Sequence, residues 1–179
     1  MQKGFITSST FDKSALIAAL PTIQLSFEFN EALGFAEMYL NNENVETQIR
    51  TIEVSNYVSK VAEVSEVRAK LVEQQQEMGQ NKGIVMDGRD IGPAVFPEAE
   101  LKIFMTASAA TRAQRRFAEL QQKGDEVSYE EVLKNVEERD YIDTHREDSP
   151  LVKADDAIEI NNSTLTKEEQ FNLVLKLVE

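Results

Sequence analysis

The segment Asp87-Gly88-Arg89-Asp90-Ile91-Gly92-Pro93 sets two carboxylates and a guanidinium within four positions, with two glycines that let the backbone turn sharply or approach a ligand. It follows the short apolar run Gly83-Ile84-Val85-Met86, and open α/β sheets place ligands just past the carboxyl ends of their strands. Asp87 could orient a magnesium shell, Arg89 could clamp a phosphate, and Asp90 could accept from an amine. Without those roles the segment is a tight turn with a local Arg–Asp pair.

A second set is Arg139, Asp143 and Arg146, spaced four and then three, so a helix presents all three on one side. Two guanidiniums flanking a carboxylate can hold a phosphate while the carboxylate orients them or meets ribose hydroxyls. A solvated charge face is the alternative. Arg112, Arg115 and Arg116 form a third basic cluster, for which a surface helix pairing with Glu119 is the plainer account. His145 is the only histidine, which leaves no His-based metal site, and it reads as a surface residue. Tyr129 and Tyr141 read as packing residues. Ser59 and Arg68, nine apart in a helical stretch, carry no assignment by themselves.

These arginines stand out because the 179-residue chain is acidic, with 19 Lys and Arg against 32 Asp and Glu and a net charge of −13. That surplus opposes binding to nucleic acid polymers or anionic membranes, which depends on displacing counterions with basic side chains. An anionic ligand must therefore be met by a local arginine cluster. The absence of cysteine excludes disulfides, thiolate nucleophiles and Cys-type zinc sites. No apolar h-region opens the chain, and no apolar run approaches the roughly 20 residues of a spanning helix. The expectation is a soluble protein of the reducing cytoplasm, with one domain or one domain and a small appended one, its 41% hydrophobic content supplying the core.

The elements that must position the candidates alternate in type. A helical signal over 14–20 ends at Pro21. Ile23, Leu25, Phe27 and Phe29 alternate with polar residues, which predicts a strand with one buried face, and Met38 and Leu40 continue the alternation before the turn-forming Asn41-Asn42. The pair reads as an antiparallel hairpin. From Val45 to Val72 the spacing is helical, with Val54, Val58 and Val61 on one face. The second half reads strand then helix: 83–87, 101–106 and 157–160 are short apolar runs, and Ser128–Glu131 and Thr166–Glu169 fit the capping box. Phe171, Val174, Leu175 and Val178 form the expected inward stripe of the last helix.

Taken in order, residues 83–92, Val95-Phe96-Pro97, 101–107, Arg112-Ala113-Gln114-Arg115-Arg116, Glu138-Arg139-Asp140 and Ser149 to Ala157 resemble bacterial cytidylate kinase, from about Ile23 to the C-terminus. The resemblance implies an α/β fold: a P-loop-kinase-like parallel sheet carrying a nucleoside-monophosphate-binding insert made of an antiparallel hairpin and helices. It implies transfer of a phosphoryl group from ATP, with magnesium, to CMP or dCMP. On this resemblance Ser59, Arg68 and Asp90 would read cytosine, whose N4 amine donates to a carboxylate while N3 and O2 accept from a guanidinium. Arg89 and Arg146 would hold the CMP phosphate, and Arg139 and Asp143 would reach the ribose. Arg112 and Arg116 would face the ATP phosphates and the transferring group, and Asp87 would meet the metal through water. The implied division is 1–22 as a helical remnant of the core, 23–78 as the CMP-binding insert, and 79–179 as the kinase core with a helical lid over about 109–148.

Two departures matter. No glycine in the chain is followed by Lys-Ser or Lys-Thr, so the phosphate loop Gly-x-x-x-x-Gly-Lys-[Ser/Thr] that cradles ATP in this family is missing. The family's first two strands are expected to be absent with it, leaving the chain inactive alone, or a non-catalytic nucleotide-binding or interaction module. Pro93 stands where the family usually has threonine. Because the missing first strand lies in mid-sheet in this fold, the strand over 83–87 should pair directly with 101–106, or a second chain should fill the gap by strand exchange or dimerisation in place of the family's monomer, or the piece belongs outside these residues.

Overall fold

The computed structural model describes residues 1–7 and 9–178, in two units, Met1–Gly83 and Ile84–Glu179. No helix among the described residues is long and apolar enough to cross a membrane.

In the first unit, α1 (Lys13–Ala19) starts where the Asp12 carboxylate accepts from the Ala15 amide at 2.9 Å. It ends, as the sequence requires, at Pro21, inside a single 3₁₀ turn over Leu20–Thr22. Strands β1 (Leu25–Asn30) and β2 (Phe35–Leu40) form the expected antiparallel hairpin, with Leu25 opposite Leu40 and Phe27 opposite Met38. Asn41 and Asn42 both take positive φ, +50° and +66°, which asparagine tolerates, and they turn β2 into the short β3 (Glu43–Asn44). Helices α2 (Ile52–Ala62) and α3 (Ser65–Gly79) follow, α2 capped by Thr51. Leu20, Val64 and Val67 form the core, with Phe11, Leu16, Ile17, Ile23, Val61 and Leu71 packed against them.

The buried hairpin face is a correction. Phe27 and Phe29 are 51% and 68% exposed, and Val58 of α2 is exposed as well. Alternation reports the period of a strand; burial needs an apposed layer, which the period does not specify.

In the second unit, β4 (Ile103–Thr106) pairs in parallel with β5 (Ile158–Asn161), Ile103 opposite Ile158. The third expected strand does not form. Residues 83–87 have no strand assignment and no ladder with 101–106, and Val85 is fully exposed. An apolar run becomes a strand only when a neighbour completes its hydrogen bonds, and among the described residues none does. Helix α4 (Ala109–Gln122) is capped by Ser108, and α5 (Tyr129–His145) by the Ser128–Glu131 box in full. Thr166 and Glu169 exchange the same bonds at the start of α6 (Lys167–Val178). Val95, Ala113, Leu120, Val132 and Ile160 are buried, and Tyr129 packs edge-on against Phe117 at 6.1 Å. Arg115 donates to the carbonyl and side-chain oxygen of Asn162 at 2.7 and 3.1 Å, tying α4 to the end of β5.

Two further expectations fail for the same reason as the hairpin face. Phe171, Leu175 and Val178 are exposed and Val174 is only half-buried, so most of the α6 stripe lacks cover among the described residues, and Tyr141 stands 65% exposed.

Leu120→Ala should cost the second unit about 2–4 kcal/mol by denaturant titration, whereas Phe171→Ala should change stability by less than about 0.5 kcal/mol. The Ser128 amide and hydroxyl hold the Glu131 carboxyl below the usual glutamate range. A lowered folded pKa stabilises above the unfolded value and is lost as pH falls through the folded one. Amides in the first turn of α5 should therefore lose exchange protection as the pH falls below the ordinary glutamate range.

Candidate functional site

Helix α5 places Arg139, Asp143 and Arg146 at the predicted spacing, with Arg146 as the residue that ends the helix. Asp143 is buried, and both of its oxygens are used: Arg89 Nε donates to Oδ2 at 3.0 Å and Arg146 Nη1 to Oδ1 at 3.3 Å. The first bond joins residues 54 apart in sequence. Arg146, with its side chain 3% exposed, also donates from Nε to the Ser149 carbonyl at 2.9 Å. The Leu151 amide in turn donates to the Asp143 carbonyl at 2.7 Å. Buried ions are retained where pairing and hydrogen bonds offset their desolvation, and this arrangement supplies both.

The charge around this carboxylate is predominantly positive. The Arg139 guanidinium is held below the usual arginine value, first by burial and then by the positive charge of Arg89, with Arg116 adding to it against the pull of Asp143 and Asp140. Cations gathered at this range repel one another, and an anion between them would relieve the repulsion. Asp140, which the sequence did not single out, takes a two-pronged bond from Arg112, Nη1 to Oδ1 at 2.8 Å and Nη2 to Oδ2 at 2.5 Å. Arg112 Nε donates to the Ala107 carbonyl at 3.1 Å. The plain account of Arg116 holds in part: it pairs with Glu119 at 3.2 Å while contributing to the field at Arg139.

The loop before these helices is shaped by Gly88. A Cβ there would come within 2.8 Å of Ile91 Cγ1, whereas one at Gly92 would meet nothing closer than 3.5 Å. Ile91–Val95 then makes a wide turn closed by Phe96 N donating to the Ile91 carbonyl at 2.7 Å. Pro93 sits within that first turn, where no amide is required. Asp87 is exposed and Asp90 half-buried, with the Asp90 carbonyl accepting from Ala94 and Val95. In the first unit Ser59 is buried on α2, and Arg68 on α3 donates to the Ala62 carbonyl at 3.5 Å. His145 is a surface residue as expected, stacked on Tyr141 at 4.2 Å. Among the described residues no group of three or more His, Cys, Asp or Glu could hold a metal ion.

A family model for cytidylate kinase matches residues 6–179. The chain belongs to the cytidylate kinase family. It is 80% identical over 178 residues to the cytidylate kinase of Flavobacterium johnsoniae, covering 99% of this chain and 77% of that relative. The cytidylate kinase of Flavobacterium psychrophilum is 70% identical, over 99% of this chain and 79% of the relative. That of Phocaeicola vulgatus is 58% identical, over 95% and 74%. Membership makes the protein a kinase, a phosphotransferase with a mixed α/β fold, which is the resemblance its motifs carried.

Removing the Asp143 carboxylate leaves buried Arg146 uncompensated. Asp143→Ala should lower the stability of the second unit by about 3 kcal/mol, read by denaturant titration, while Asp87→Ala at an exposed position should leave it unchanged.

Proposed function

We propose that this cytidylate kinase passes the γ-phosphoryl group of ATP to CMP or dCMP, with the arginines around Asp143 holding the nucleotide phosphates. The observation that supports this most directly is the crowding of Arg89 and Arg116 on half-buried Arg139 beside a carboxylate already committed to two guanidiniums. Phosphoryl transfer asks for positioning and charge neutralisation more than for a covalent nucleophile. An arginine-lined surface is suited to both.

In this reading Arg89 and Arg146 contact the CMP phosphate, and Arg139 with Asp143 meets the ribose. Arg112 and Arg116 face the ATP phosphates and the group in transfer. Asp90 accepts from the cytosine amine, a contact uracil cannot reproduce with its O4. Ser59 and Arg68 carry their assignment to the base from the family resemblance alone. Magnesium keeps most of its waters and needs only one or two carboxylates besides phosphate oxygens. The single exposed carboxylate of Asp87 fits that requirement through water; when bound, the ion supplies charge neutralisation at the phosphates.

A second reading, a nucleotide-binding module without turnover, is favoured by one specific observation: the 179 residues contain no Gly-Lys-Ser or Gly-Lys-Thr with which to cradle ATP. Calorimetry with CMP and UMP should show a preference for CMP that Asp90→Asn reduces about tenfold or more; equal affinity for the two overturns the acceptor-site assignment. Coupled detection of ADP with CMP as acceptor separates the two readings: turnover supports the kinase and sinks the module, whereas CMP binding without turnover supports the module.

A further inference from the structure

Ser149 adopts φ +45°, a left-handed conformation that is unfavourable for a non-glycine residue. It also precedes Pro150, and a residue before proline favours the extended region on the opposite side of φ. Such a conformation persists only where its surroundings hold it. Two bonds do so here: the Ser149 carbonyl accepts from Arg146 Nε at 2.9 Å, and the Leu151 amide donates to the Asp143 carbonyl at 2.7 Å. The chain from 146 to 151 thus folds back on the end of α5, and its strained residue delivers a carbonyl to the guanidinium.

We infer that Ser149 is a positioning residue for the phosphate clamp: its left-handed backbone aims a carbonyl at Arg146 Nε and so sets the direction in which Arg146 presents its remaining donors. The inference rests on the reading of Arg146 as a phosphate contact. A guanidinium is planar, so fixing Nε on one carbonyl and Nη1 on one carboxylate fixes the plane of the whole group. Asp143 supplies charge and one anchor; Ser149 supplies the second anchor, through its backbone. The motif Ser149-Pro150-Leu151 therefore has a physical purpose that its side chains do not announce. Glycine should serve at 149, since it reaches this φ freely, while a β-branched residue should not, since it resists a left-handed backbone.

The test compares Ser149→Val and Ser149→Gly with the unaltered chain, using CMP and cytidine as probes in calorimetry and the Arg146 Nε–H resonance in NMR. Ser149→Val should weaken CMP about tenfold, the worth of one charge-assisted contact, and leave cytidine unchanged, because only the phosphate increment depends on Arg146. Ser149→Gly should keep that increment and melt no lower than the parent. In Ser149→Val the Nε–H should lose its exchange protection, and in Ser149→Gly it should keep it. The inference is overturned if Ser149→Val binds CMP as the parent does, if it weakens CMP and cytidine equally, or if its Arg146 Nε–H stays protected. A parent chain that binds CMP no better than cytidine sinks instead the assignment of Arg146 to phosphate, and the resonance still decides whether Ser149 orients it.

Discussion

The carboxylate of Asp143 is buried and shared between Arg89 and Arg146, and the arrangement of the second unit around it follows from the cost of burying charge. A lone carboxylate or guanidinium out of water would be prohibitive, so α5, the loop from Asp87 and the return chain from Arg146 must all deliver their groups to the same place. Gly88, where a Cβ would press on the Ile91 side chain, and the left-handed Ser149 before Pro150 lie in the two segments that make this delivery. A neutral pair at this position would pack more cheaply. What the charged set adds is an oriented group of cations.

Arginine is used here in distinct ways that its position in the sequence does not reveal. Arg115 bonds a backbone carbonyl and an asparagine and holds α4 to the end of β5. Arg112, three residues earlier, is forked onto Asp140 across α4 and α5, and Arg116 shares its charge between Glu119 and the field at Arg139. The 179 residues carry a net charge of −13. The cluster stands out against that acidity, with the Arg139 pKa lowered first by burial and then by the positive charge of Arg89.

Local rules were legible in the sequence wherever the cause was itself local. The capping boxes at Ser128 and Thr166, the helix stop at Pro21 and the asparagine turn after β2 all follow from propensity and hydrogen bonding within a few residues. The failures share a different cause. Residues 83–87, Phe27 and Phe29 on the hairpin, and Phe171, Leu175 and Val178 on α6 were assigned a buried or paired state that needs a partner layer. Apolar periodicity states which side of an element would face a core and is silent on whether a core is there. Asp140 stood within a quoted motif but was given no role, because an aspartate beside an arginine on a helix is ordinary until the opposing helix supplies Arg112.

By itself the sequence determined the family, the α/β class, the helix starts at Ser128 and Thr166 and the i, i+4, i+7 row of Arg139, Asp143 and Arg146, since each depends on residue order and on the 3.6-residue helical repeat. Only the tertiary structure decided that Asp143 spends both oxygens on arginines, one of them 54 residues away, and that Ser149 turns its backbone to hold the other. Long-range pairing of charges is settled by which groups lose their water together, and that is a property of the packed chain.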